Sequence, residues 1–445
     1  MNEIMNKYPV LKDGYQLYQG ANISYIRSLR TSTKNSSKYR INESSVDIIK
    51  ECNGINSFKE VINNLTLIYN LDYNEIKKIV FSFIEDNPIF KISDIKLKSP
   101  YIPIKGSCDL QIPMMFSIEL TNYCNYSCEH CYNNSKPENN EFIDSNKLIE
   151  FLSYIKEFDP VIELTGGEPL SHPDIEKIID YCCKNFETVN VITNGSLVKK
   201  HVEFLSRYSD LVLSISLYSY KSEYMDWFTN TKGYFDIVIS NIKELVKKGI
   251  HVVGTLLVTP ANVKDLYPTV KMIKTIGADS FRTGIIMPIG RAKNKDLDFT
   301  LENIDEFNVE TEKVDKDFSD FMVKIPEYLL EKRLDRINCG ITIDSISIKY
   351  NGDVRICAMI PDNFNIGNIL NGSPESFFRK LAKYPYYKIP EPKKEICGDC
   401  EHITFCEGCI ARGLCAQEDK AECIWYNNIF KPMQNHAEKN KTINY

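Results

Sequence analysis

Residues 121–132 read TNYCNYSCEHCY and space Cys124, Cys128 and Cys131 as CxxxCxxC. Cysteine thiolate is the preferred ligand of iron–sulfur clusters, so three of them in one short loop can hold three irons of a 4Fe–4S cluster. The fourth iron is then left without a protein ligand. Buried structural cysteines or a zinc site are the alternatives. A polar, Asn-rich loop is not core patterning, which weighs against the first of these.

The loop follows a strand candidate, Met115 to Leu120, and from Met114 onward strands alternate with helices. Further strands are expected at Val161 to Leu164, Thr188 to Ile192, Leu211 to Leu217, Val252 to Val258 and Ser280 to Ile286. Helices centre near Leu152, Ile178, Val202, Ile242 and Met272. Six βα steps predict an α/β fold with a parallel sheet, a partial (β/α)6 TIM-like barrel over residues 114–300. The cysteine loop follows the first strand, GGEPL the second, TNG the third and MPIGR the sixth. That edge of a barrel is where chemistry is built.

CxxxCxxC with His130 before its last cysteine, and Gly166-Gly167-Glu168-Pro169 one βα step later, resemble the radical S-adenosylmethionine (SAM) superfamily. The resemblance implies a first 4Fe–4S cluster on Cys124, Cys128 and Cys131, with SAM chelating the open iron through its amino and carboxylate groups. The GGEP element would meet the amino group of SAM; glycine admits close backbone approach and Glu168 accepts hydrogen bonds from an ammonium. Asn194, Ser216 and Val258 fall where related enzymes contact the ribose or carboxylate of SAM. Arg291 falls near the cofactor edge, and His130 packs near the adenine through its backbone.

Fifteen cysteines are many for a chain whose start, MNEIMNKYPVLKDGY, reads as too polar for a secretory signal, and they are grouped, which points to metal rather than disulfide chemistry. Seven lie in the tail: Cys339, Cys357, Cys397, Cys400, Cys406, Cys409 and Cys423. Cys339-x12-Gly352-x4-Cys357, then Cys397-x2-Cys400-x5-Cys406-x2-Cys409 and Cys423, are similar to the SPASM domain of radical SAM maturases. Paired CxxC elements also build zinc ribbons, but seven cysteines exceed one zinc site. The resemblance implies two auxiliary 4Fe–4S clusters, three clusters in all. Cys397, Cys400, Cys406 and Cys423 would hold the outer one; Cys339, Cys357 and Cys409 the inner one, which is then one ligand short. Either Cys415 fills that place or the site is open to a substrate group. Cys52, Cys108, Cys182 and Cys183 have no metal spacing. Ahead of these, IDSISIKY-NG-DVRICAMI predicts a hairpin turning on Asn351-Gly352 in a type I′ turn.

Residues 1–95 read as a separate winged-helix-like domain, three short strands followed by three helices. The helices carry Val46, Ile48, Ile49 and Cys52; Val61, Ile62, Leu65 and Ile68; and Ile76, Ile79, Val80 and Phe83 on their apolar sides. The stretch ESSVDIIKECNGINSFKEVINNL resembles peptide-recognition domains of the kind that chaperones the pyrroloquinoline quinone precursor, which implies a leader peptide bound as an added strand. Residues 96–113 read as a linker, 301–338 as a helical bridge and 339–445 as the SPASM domain.

A net charge of −6 gives no reason to expect nucleic acid, and no apolar run is long enough to span a bilayer, so a cytoplasmic protein is expected. The arrangement is similar to maturases of ribosomally made peptides, nearest to those that join cysteine sulfur to an α-carbon, as in subtilosin-type sactipeptides. That resemblance implies a precursor peptide as substrate and a reducing partner of flavodoxin or ferredoxin type. SAM would be cleaved to a 5′-deoxyadenosyl radical that takes a hydrogen from the peptide. A radical epimerase, a carbon–carbon crosslinking maturase and a non-catalytic iron–sulfur peptide carrier are the competing readings.

Overall fold

The computed structural model describes residues 3–28, 38–85, 87–293, 295–323, 337–360, 364–419 and 422–434. They form two compact units, Met1–Ile112 and Pro113–Tyr445.

In the first unit, strands β1 (Tyr8–Leu11), β2 (Tyr15–Gln19), β3 (Ser24–Ser28) and β4 (Lys38–Ile41) precede helices α1 (Glu43–Glu51), α2 (Phe58–Tyr69) and α3 (Tyr73–Glu85). Asn42 caps α1 by accepting from the Ser45 amide, and Ser57 with Glu60 forms a capping box on α2, so each helix starts where its first free amides find a partner. Leu17, Ile26, Ile49, Phe58, Val61, Leu65 and Val80 are buried together beneath them. Ile68 and Ile79, expected on the apolar side, are instead 57% and 45% exposed. Periodicity marks a helix face but not how much of it a small sheet covers.

Strands β5 (Phe90–Ser93) and β6 (Ile104–Gly106) complete the unit. β5 pairs with β1, and β6 lies parallel to β2 with Leu17 opposite Ile104, at one edge of the sheet ordered β4-β3-β2-β6. The stretch 96–113, expected as a linker for its prolines, therefore adds a strand to this unit. Its backbone hydrogen bonds are satisfied by β2, which local composition cannot reveal.

The second unit is built on a nine-stranded sheet. Strands β7 (Met115–Glu119), β8 (Val161–Thr165), β9 (Val189–Thr193), β10 (Leu211–Leu217), β11 (His251–Val258) and β12 (Ser280–Ile285) run parallel in chain order. Helices α4 (Ser145–Ile155), α5 (Ile175–Asn185), α6 (Val198–Leu205), α7 (Ser222–Thr229), α8 (Tyr234–Lys247) and α9 (Leu266–Ile276) connect them. α7 is a short helix before α8, additional to the helices expected from the sequence. This is the expected partial TIM-like α/β fold.

β13 (Ser345–Ile348), β14 (Asp353–Arg355) and β15 (Asn365–Asn368) extend that same sheet. β13 lies parallel to β7, with Ser347 opposite Ser117, so the tail enters the barrel sheet rather than standing as a separate compact unit. α11 (Pro374–Leu381), which follows α10 (Ile304–Phe318), docks Phe378 edge-on against Phe116 of β7 at 6.1 Å. Part of the expected bridge, 324–336, lies outside the described residues.

The β13–β14 hairpin exists, but its turn is not type I′. Only Gly352 has positive φ, at 85°, whereas type I′ needs both central residues there. The Gly352 amide donates to Lys349 O at 2.8 Å and Lys349 N to Asp353 O at 2.8 Å, a type I turn closed by a left-handed glycine. The Asn351 side chain accepts from the Asp353 amide at 3.1 Å, which stabilises that alternative.

Candidate functional site

The loop 121–132 leaves β7 and is held from three sides. From β8, the Gly167 amide donates to Thr121 O and the Glu168 amide to Tyr123 O, both at 2.8 Å. A Cβ on Gly167 would overlap the Tyr123 carbonyl, so this approach requires glycine. From β12, Arg291 donates Nε to Cys128 O and Nη2 to Ser135 O, each at 2.8 Å, and its amide to Cys131 O at 3.0 Å. Arg291, expected at the cofactor edge, thus clamps the backbone of the cysteine loop. From β9, Asn194 Nδ2 donates to Asn125 Oδ1 at 3.0 Å and lies 3.9 Å from Cys124 Sγ.

The Glu168 carboxylate is fully buried and accepts from the Leu170 amide, the Thr193 hydroxyl and the Asn194 amide. Burial raises its pKa to about 7 against those three bonds. It therefore locks the GGEP turn to the TNG turn. Ser216 is half-buried and hydrogen-bonded to the Tyr218 hydroxyl, and Val258 is buried at the end of β11. The His130 ring stacks on Phe228 at 4.4 Å with an interplanar angle of 5°, and burial lowers its pKa to about 3. A neutral, enclosed imidazole of this kind is not a base at neutral pH.

Desolvation holds the Cys124 thiol up at about 12, with Glu168 and Cys131 adding to it, and raises Cys128 further through burial, Cys124 and Cys131. Thiols such as Cys124 and Cys128 that resist ionisation on their own become favourable ligands once cationic iron neutralises them, and with Cys131 in the same loop this donor set suits a cluster. Among the described residues no three His, Cys, Asp or Glu side chains converge closely enough to share one metal ion. Cluster ligands each bind a separate iron and stand farther apart.

The tail thiols fall into two groups. Cys397, Cys400, Cys406 and Cys423 line one cavity of about 390 Å³ with Trp425 and His402. Cys409 and Cys357 both raise the Cys339 thiol, whose pKa lies near 12 mainly through desolvation, and Cys409 also raises Cys357. Cys415 lines a different cavity of about 460 Å³, with Cys406 and Arg412. Cys52 and Cys182 are fully buried.

Sequence reasoning missed the residues that brace the site. Asn125 and Ser196 hold Asn194, and the Tyr234 hydroxyl lies within 2.9 Å of the carbonyls of Asn194 and Ser216. They come from separate β–α connections and share no linear spacing.

This sheet, with a three-cysteine loop at the carboxyl end of its first parallel strand and a glycine-rich turn at the next, defines a radical SAM domain; residues 118–273 match the Radical SAM superfamily. The chain is 27% identical to the antilisterial bacteriocin subtilosin biosynthesis protein AlbA of Bacillus subtilis, over 93% of its own length and 94% of that protein. It is 29% identical to the sporulation killing factor maturation protein SkfB of the same organism, over 44% of this chain and 49% of that one. The fold is similar to that of Streptococcus suis SuiB bound to S-adenosylmethionine, with a TM-score of 0.62 at 13% identity, covering 91% of this chain and 96% of that one. Among the described residues no helix is long and apolar enough to cross a membrane.

Proposed function

We propose that this protein is a maturase of a ribosomally made precursor peptide that joins cysteine sulfur to carbon as a thioether. The observation that carries the reading is the division of the tail thiols into four, Cys397, Cys400, Cys406 and Cys423, and three, Cys339, Cys357 and Cys409. Four thiolates complete one cubane; three leave an iron to which a substrate thiolate can bind and so lose its proton. Cys415 lines a different cavity, with Cys406 and Arg412. Similarity to the subtilosin biosynthesis protein along nearly the whole chain supports the same reading.

Cys124, Cys128 and Cys131 would hold the first cluster, and Gly166, Gly167, Glu168, Pro169, Asn194, Ser216 and Val258 border the place for SAM. Together these groups, when bound and reduced, supply a 5′-deoxyadenosyl radical. The chain's own part is positional. Arg291 and Gly167 fix the loop, Glu168 fixes two of the turns around it, and the aromatic packing of His130 keeps water out. In the first unit, β4 ends its sheet among the described residues and offers main-chain groups to a leader peptide; SuiB has been solved with its precursor peptide SuiA. A flavodoxin- or ferredoxin-type donor would supply the electron.

The test is anaerobic reconstitution with iron and sulfide, then reaction with SAM, reductant and a cysteine-containing precursor peptide encoded beside the gene. Loss of two hydrogens per crosslink, with one cysteine per crosslink protected from alkylation, is the expected result. A peptide of unchanged mass made alongside 5′-deoxyadenosine would sink the thioether reading.

A further inference from the structure

A buried ion pair outside the family motifs links the two cysteine regions. Glu119, the last residue of β7, is fully buried and pairs with Arg355 of β14, 236 positions away in the chain. On one side, the hydroxyl of Tyr132, next to Cys131, donates to Glu119 Oε1 at 3.3 Å. On the other, Arg355 ends β14 two residues before Cys357. The contact exists only because β13 joins β7 and carries β14 with it, Ser347 lying opposite both Ser117 and Arg355.

Stability alone does not call for this pair. Removing two charges from water costs about as much as their attraction returns, and apolar side chains of similar volume commonly serve as well. Moreover, Glu119 Oε2 and the hydroxyl of Ser347, both buried, have no hydrogen-bond partner among the described residues. The Glu119 carboxylate is thus incompletely satisfied, yet its partners are Tyr132, next to Cys131, and Arg355, two residues before Cys357.

We infer that Glu119 and Arg355 are positioning residues that tie the CxxxCxxC loop to the inner auxiliary site, with the Arg355 guanidinium setting the charge beside the cluster held through Cys357. Local charge and hydrogen bonding are what a protein uses to tune a cluster's potential. Glu119 partly neutralises Arg355 and aims it. The inference rests on the proposed function, since it needs an inner cluster.

The experiment is a redox titration of the reconstituted full-length protein followed by electron paramagnetic resonance, the inner-cluster signal being the one lost in Cys357→Ala. Arg355→Gln removes a positive charge and leaves a carboxylate, so the midpoint should fall. Glu119→Gln leaves the positive charge less neutralised, so the midpoint should rise. Arg355→Lys and the Glu119→Gln/Arg355→Gln double variant should lie near the wild type. Shifts of opposite sign separate charge tuning from structural damage, and Glu119→Gln alone keeps the test open if Arg355→Gln does not fold. Equal or absent shifts overturn the bridge and leave the proposed function standing. A wild type with no signal that Cys357→Ala removes overturns both.

Discussion

Arg291 donates from Nε to the main-chain carbonyl of Cys128 at 2.8 Å, so a side chain from the sixth parallel strand end holds the loop that leaves the first. Among the described residues β12 and β7 are not neighbours in the sheet, so the contact joins two strand ends that no ladder pairs.

Arg291→Ala should therefore loosen that loop. It removes two charge-assisted hydrogen bonds to main-chain carbonyls; at 1–3 kcal/mol for a lost buried bond, a destabilisation of about 3 kcal/mol is expected in chemical unfolding. Iron bound at the first site should fall with it. Arg291→Lys, which cannot donate in two directions from a planar fork, should recover only part.

Gly167→Ala should be more damaging than its size suggests. The added carbon meets the Tyr123 carbonyl, a backbone atom that cannot turn aside, and overpacking against it should cost about 3 kcal/mol in thermal or urea unfolding. At Gly284 an added carbon meets only Leu257, at 3.9 Å, so Gly284→Ala should change stability little.

Glu168 should give the metal-free protein a pH dependence. The folded state keeps this proton up to about 7, whereas the unfolded chain releases it near 4.5. Over that window the unfolded state binds fewer protons, so stability falls as pH rises, by about 3 kcal/mol in all. Urea unfolding of Glu168→Gln across the same range should lose that slope. It should also be less stable at low pH, because its amide nitrogen faces either the Asn194 amide or the Thr193 and Leu170 donors.

Cys415→Ala should leave the iron count and the auxiliary-cluster spectra as in the wild type, since Cys415 lines the cavity with Arg412 and not the one that Cys397, Cys400, Cys406 and Cys423 share. Cys409→Ala should lose the inner signal. Iron analysis and electron paramagnetic resonance of the two variants decide the point.

Much of the candidate site can be read in the order of residues because its chemistry is local. Three thiols within one short loop, two glycines before Glu168 and alternating apolar strands such as Leu211 to Leu217 declare themselves without a partner. Strand-to-helix order likewise predicts the parallel sheet, since short connections constrain it. Tertiary structure alone decided what depends on residues far apart meeting. It placed β6 beside β2 and β13 beside β7, turned the hairpin through a left-handed Gly352 and put Arg291 on the Cys128 carbonyl. It also brought Arg355 to Glu119. Backbone hydrogen bonding and burial are satisfied between elements, and no linear spacing records which elements become neighbours.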